Sequence, residues 1–256
     1  MNTIEMYNNL ENIGIKLYQN DNSAWVKLQE VLSELGEFAA EVASISEEIK
    51  NVVMRVFSSL LDAIQNVDQL LAADIVYYEL CELVAVYEKI YNGRDIETHQ
   101  QSNVNKGNID TKKTYEINMK CLENKWDGYY QKLIEYCERF DLNDKEVQVD
   151  EYGNIAVLKS DRWWRMNSFY NSDYAASLAL QEIMKQNYIS CLYIFGMGNL
   201  DTIRKITEYL PTDTMIFIYE PNPKIFGVNS YYSDWSEVLN KENVVLFVEG
   251  LNDEEL

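Results

Sequence analysis

The sequence predicts an α/β protein in which an amino-terminal helical bundle precedes a β-hairpin and helical region leading into an incomplete parallel sheet. Three observations predict it. Up to residue 92 the apolar residues recur at three- and four-residue steps, the period of a helix with one buried stripe. From residue 147 the pattern changes to alternation and then to short continuous apolar runs, the marks of strands. Two glycines follow directly on one such run, "CLYIF" at 191–195, and a helical pattern follows them.

Residues 1–92 divide into about four helices, a bundle with short antiparallel connections. Trp25, Leu28, Val31, Leu32 and Leu35 mark one helix, with Asn22 or Ser23 expected as its cap. Ile45, Ile49, Val52, Val53, Val56, Phe57, Leu60, Leu61 and Ile64 form one stripe, and Leu80, Leu83, Val84, Tyr87, Ile90 and Tyr91 form the next. Asp74 and Glu79, in "AADIVYYELCEL", read as solvated helix faces, and no chemistry is expected in this part. Residues 93–113 are polar and free of aromatic side chains, so they read as a linker. The one histidine, His99, lies there without a second histidine or a cysteine beside it, and no metal site is expected.

Residues 114–187 carry the change of period. In "TYEINMKCLENKWDGYYQKLIEYCERF" the residues Leu122, Trp126, Tyr129, Tyr130, Leu133, Ile134 and Cys137 keep a helical spacing, an aromatic stripe suited to packing on a sheet. "VQVDEYGNIAVLKS" alternates on both sides of "YGN", a hairpin with Gly153 in its turn. "WWRMNSFYNSDYAASLALQEIMKQN" passes from strand through turn to an alanine-rich helix, with Asn171 or Ser172 as the cap.

Residues 188–256 hold the candidate site. "CLYIF" reads as a strand buried on both faces; Gly196 and Gly198 follow, then "NLDTIRKITEYL" as a helix closed by Pro211. "TMIFIYEPNP" reads as a second buried strand ending on Glu220, and "NVVLFVEG" as a third. Strand, glycine turn, helix, strand and acid in this order form the first half of a Rossmann-like mononucleotide fold. Glycine lets the backbone pass close to a ligand, and the helix starting near Asn199 offers free N–H groups at its positive end. An acid at the strand tip can accept from ribose hydroxyls, and Glu220 stands there. Leu200 and Asp201 occupy the place of a third glycine, so a strict dinucleotide site is not expected.

The charge narrows the function classes. Against 22 basic residues stand 42 acidic ones, a net charge of −20, which repels nucleic-acid phosphates and anionic lipid. The 4 cysteines show no CxxC spacing and sit among apolar neighbours, so reduced and mostly buried thiols are expected. Neither a signal peptide nor a run of membrane-spanning length is seen, and a cytoplasmic protein is expected.

The stretch "YIFGMGNLDTIRKITEYLPTDTMIFIYEPNPKIF", with "NSFYNSDYAASLALQ" upstream, resembles the motility-associated factor (Maf) flagellin glycosyltransferases. Members share a glycine-rich strand end, a helix and a second strand closing on Tyr-Glu-Pro-(Asn/Asp). "TYEINMKCLENKW" is similar to the family's Asn-Leu-rich opening helix. The resemblance covers about residues 114–250, and its most specific pieces are Gly196-Met197-Gly198 and Tyr219-Glu220-Pro221-Asn222. It implies a cytoplasmic enzyme that transfers a pseudaminic- or legionaminic-type nonulosonic acid from its CMP-activated form to Ser/Thr of flagellin. The implied donor is thus a nucleotide sugar and the implied partner flagellin, with no covalently bound cofactor. Carried over residue by residue, Gly196, Gly198 and Asn199 would line the donor phosphate or cytidine, with Glu220 at the pocket edge and Asn222 beside it.

Ser172 stands where the family often has proline, and Asn199-Leu200 where another glycine is common. Family members are longer, and a chain ending at "VEGLNDEEL" is expected to represent the amino-terminal portion, inactive in transfer by itself. Other readings stay open. The family's central domain also resembles the MptE-type archaeal pterin diphosphokinase; an S-adenosylmethionine-dependent methyltransferase starts with a similar order of elements; and a non-catalytic module could use the helical bundle to bind a basic partner.

Overall fold

A computed structural model describes residues 2–99, 109–125, 130–150, 153–159, 161–186 and 188–251. The chain divides into two compact units: Met1–Asn103 with Ser168–Asn171, and Val104–Asn167 with Ser172–Leu256. The expected linker, 93–113, is irregular at 93–99, lies outside the described residues at 100–108, and ends early. Asp110 caps a helix that begins at Thr111 by accepting the Lys113 N–H at 3.1 Å.

The first unit has four helical rods. Helix α1 (Thr3–Tyr18) is capped by Asn2, α3 (Glu47–Asn66) by Ser46 and α4 (Gln69–Asp74) by Asp68. For α2 (Ser23–Ala43) neither expected residue provides a side-chain cap; Asp21 accepts the Ser23 N–H instead, at 2.8 Å. The fourth rod runs from α4 through a π-helical segment, Ile75–Leu80, into α5 (Cys81–Asn92). The buried stripes are narrower than the apolar pattern: Val53, Val56 and Leu60 are buried, but Val52 and Leu61 are 41% and 51% exposed. On α5 the stripe ends at Tyr87, leaving Ile90 and Tyr91 outside. A helix packs only one sector of its surface, and consecutive apolar residues run past that sector.

Asp74 and Glu79 are not solvated. Asp74 is fully buried and accepts from Tyr18 Oη at 2.5 Å, from the Ser168 hydroxyl and from the Phe169 N–H at 2.9 Å. Ser168 Oγ in turn accepts the N–H groups of Tyr170 and Asn171. Glu79 accepts from Tyr170 Oη at 2.5 Å and pairs with Arg55 at 3.2 Å. A buried carboxylate is tolerated only when its oxygens are filled, and here the donors come from a distant stretch of chain. His99 stacks on Tyr77 with ring centroids 3.9 Å apart, its Nε2 lying 2.9 Å from Glu11.

In the second unit the expected single aromatic helix is two, α6 (Thr111–Lys125) and α7 (Gln131–Arg139), with Trp126 and Tyr129 outside the described residues. Leu122, Tyr130, Leu133 and Cys137 are buried in the unit's core. The hairpin strands β1 (Val147–Val149) and β2 (Ile155–Lys159) pair antiparallel, and β3 (Arg162–Arg165) adds to β2. Gly153 has φ +78° in the turn region; Tyr152 of that turn lies outside the described residues. Helix α8 (Ser172–Met184) starts directly after Asn171.

A separate parallel sheet has the order β4 (Cys191–Phe195), β5 (Met215–Glu220), β6 (Val244–Val248). Helix α9 (Asp201–Tyr209) joins β4 to β5; α10 (Pro223–Tyr232) and the short α11 (Ser236–Leu239) join β5 to β6. Both crossovers advance in the same direction across the sheet, so right-handed connections place all three helices on one face. The core accordingly joins Ile203 and Ile206 of α9, Phe226 of α10 and Val238 of α11 to Ile216, Ile218, Val244 and Leu246. The other face is not covered in the same way. Strand β4, expected to be buried on both faces, is an edge strand with Tyr193 and Phe195 each 78% exposed.

Three cysteines are buried, and burial pushes the Cys137 thiol up to about 12; Cys191, against expectation, is exposed on β4. Among the described residues no helix is long and apolar enough to cross a membrane, and no group of histidine, cysteine and acidic side chains could hold a metal ion. Replacing Asp74 by alanine strands three donors. We expect Asp74→Ala to lower the unfolding free energy by about 3 kcal/mol, read from the urea midpoint by circular dichroism.

Candidate functional site

The candidate site is built at the carboxyl ends of β4 and β5, where the parallel pairing sets Phe195 beside Tyr219. The turn leaving β4 needs three left-handed residues in five: Gly196 at φ +84°, Gly198 at +54° and Leu200 at +70°. The first two are conformations that glycine adopts without penalty. Leu200 pays strain there but is buried, and its side chain joins the core.

The two glycines differ in surroundings. A Cβ on Gly196 would meet nothing within 4 Å, so that side of the turn is open. A Cβ on Gly198 would lie 3.2 Å from the Met166 carbonyl oxygen, so Gly198 is required by the close approach of the protein's own backbone. Helix α10 braces the turn from beneath. Asn229 Nδ2 donates to the Gly198 carbonyl at 2.6 Å and to that of Ile225 at 2.8 Å. Ser233 Oγ donates to Asn229 Oδ1 at 2.7 Å and lies 3.3 Å from the Asn199 carbonyl. Asn118 of α6 binds the Ser230 and Ser233 carbonyls and accepts the Trp235 N–H, fixing the end of α10.

Glu220 is fully buried and closes the two turns upon each other. Its Oε2 accepts the Met197 N–H at 2.7 Å and its Oε1 the Asn222 N–H at 2.8 Å. The carboxylate lies at the glycine turn, as expected from its position, but each oxygen already holds a backbone amide. Asn222 caps α10, its Oδ1 accepting the Lys224 N–H at 3.0 Å, with Pro223 in the first turn. Asn199 is buried, and its Nδ2 donates to Asp201 Oδ2 at 2.5 Å. Asp201, also held by Arg204 at 3.2 Å, brings an acid to the positive end of α9. Two amides of the turn, those of Gly198 and Asn199, have no hydrogen-bond acceptor among the described residues.

All five residues singled out from the sequence thus lie in or between these two turns. Three braces escaped the sequence reading: Asn118, Asn229 and Ser233. Asn229 and Ser233 had a signal, because Asn229 lies in α10 among core residues Phe226 and Val228 and Ser233, four residues on, ends that helix. Asn118 had none, since its partners lie more than a hundred residues away. Concavities of about 480, 460 and 540 Å³ elsewhere are lined by residues that include none of the five.

Comparison with known proteins finds no family model, no curated protein and no solved structure that matches this chain.

Burial raises the Glu220 pKa above its ordinary 4.5, outweighing the two amide bonds that lower it. A raised acid binds its proton more tightly in the folded state. Its contribution to stability is therefore complete below pH 4.5 and is lost as pH rises through the elevated folded value. Glu220→Gln should remove that loss, flattening the urea midpoint across the corresponding pH window. Glu220→Ala strands two amides and should cost about 2 kcal/mol at pH 4.5, with the cost shrinking as pH rises through the elevated value.

Proposed function

We propose that the second unit is a nucleotide-binding module holding an anionic group of its ligand against the Gly198 and Asn199 amides. On this reading it is part of a motility-associated glycosyltransferase, with a CMP-activated nonulosonic acid as donor and flagellin as acceptor. The observation that carries the binding claim is that pair of amides, without an acceptor among the described residues, in a turn left open beside Gly196. Successive amides in a turn with left-handed residues suit an anion, and ligands of open parallel sheets sit at the carboxyl ends of strands. The family and substrate rest on the order and separation of Gly196-Met197-Gly198 and Tyr219-Glu220-Pro221-Asn222.

The geometry alters the role carried over for Glu220. With both oxygens engaged by amides, it shapes the two turns and leaves contact with the ligand to the backbone. That distinguishes between ligands. S-adenosylmethionine carries no phosphate, and binding it through ribose hydroxyls needs a free acid at the strand tip. A CMP-linked donor presents a phosphate, which amides alone can hold.

Thermal-shift titration tests this. A ligand at 100 times its Kd stabilises by about 2.7 kcal/mol, a readily measured rise in Tm. CMP should raise the Tm, and S-adenosylmethionine and a pterin should not. Thr202→Glu places a second acid in the first turn of α9, a position that tolerates acids, so the unliganded Tm should hold while the CMP shift disappears. No shift with CMP, or a shift that survives the substitution, refutes the proposal.

A further inference from the structure

We infer that the trough between α3 and the fourth rod of the bundle is a docking groove for a basic amphipathic helix of a partner protein. Ile49, Val52 and Val56 of α3 stand across it from Leu83 and Val86 of α5, and they bound a concavity of about 460 Å³. Val56 and Leu83 are its buried floor, whereas Val52 and Val86 are 41% and 37% exposed on its two walls. From Ile49 to Val56, and from Glu79 to Val86, the lining runs about two helical turns, roughly 10 Å. A helix laid into such a trough presents anchors at i, i+3 or i+4, and i+7 over the same distance.

One wall includes the end of the π-helical segment Ile75–Leu80, through Glu79. Segments of this kind are rare within helices and concentrate at functional sites. Here Tyr170 Oη and Arg55 are both committed to Glu79, so this polar end of the trough is satisfied from within. The apolar part is not.

Charge identifies the occupant. Lys16, Lys50, Arg55, Lys89 and Arg94 are each already paired with an acid of the same unit. Glu82 lines the trough, is exposed, and has no ion-pair or hydrogen-bond partner among the described residues. With Arg55 neutralised, Glu82 free and a net charge of −20 on the chain, the groove attracts lysine and arginine beside the anchors. An acidic helix is repelled by the same field. All the lining residues belong to the first unit, so docking does not depend on the nucleotide-binding reading of the second.

Fluorescence anisotropy with a labelled leucine–lysine peptide of about 14 residues, its leucines on one helical face, tests the groove. Wild type should bind it with a Kd in the micromolar range, and an isomer of equal composition without an apolar face about tenfold more weakly. Val52→Glu combined with Val86→Glu separates the groove from charge alone. The pair adds two acids, which would raise simple ionic attraction, yet binding should fall about tenfold. Glu82→Lys leaves the apolar lining intact and should also weaken binding, whereas Met54→Glu, at a 64% exposed position of α3 outside the trough, should not. Circular dichroism should show unchanged helicity throughout; should the double variant lose it, Glu82→Lys decides. No binding by wild type up to about 100 µM, an isomer that binds equally well, or groove variants that bind as tightly as wild type overturns the inference.

Discussion

Two crossovers that advance the same way across a three-stranded parallel sheet determine most of what the second unit is. Handedness then leaves no choice: α9, α10 and α11 fall on one side, and Ile216, Ile218, Val244 and Leu246 become the sheet's share of the core. The same constraint brings both strand-to-helix turns to the carboxyl edge, within reach of one side chain. Glu220 occupies that place, and the shape of the glycine turn follows from its two amide bonds.

The turn is braced from two directions, and each brace is polar inside an apolar setting. Helix α10 supplies Asn229 and Ser233, and Glu220 ties the turn to the neighbouring one. Buried polar groups cost free energy unless every partner is supplied, and such networks specify a single geometry when they are. A turn fixed by these contacts is preorganised, with its remaining amides held in one arrangement.

How much of this the sequence revealed depended on how local each signal was. Helical spacing marked the four rods and the apolar runs marked β4, β5 and β6, because those patterns need only neighbouring residues. The glycine turn and its acid were legible for the same reason. Burial of Asp74 was not, since Ser168 and Phe169 lie over ninety residues away. The second face of β4 was equally hidden: "CLYIF" reads the same whether one layer covers the strand or two, and only the strand order distinguishes them. Asn22 holds the N-cap position of α2 as expected, but the side-chain acceptor there is Asp21, a choice among adjacent polar residues that spacing does not resolve.

Asp74 also has a bearing on biosynthesis. Its compact unit is discontinuous along the polypeptide, closing only when Ser168–Asn171 arrive. A ribosome elongating at about 5–20 residues per second would expose the first four rods several seconds before that tetrapeptide. During the interval a buried carboxylate lacks two of its three donors, so the nascent bundle is less stable than the finished one. Completion of the earliest-made part of this protein therefore waits on a segment translated well after it.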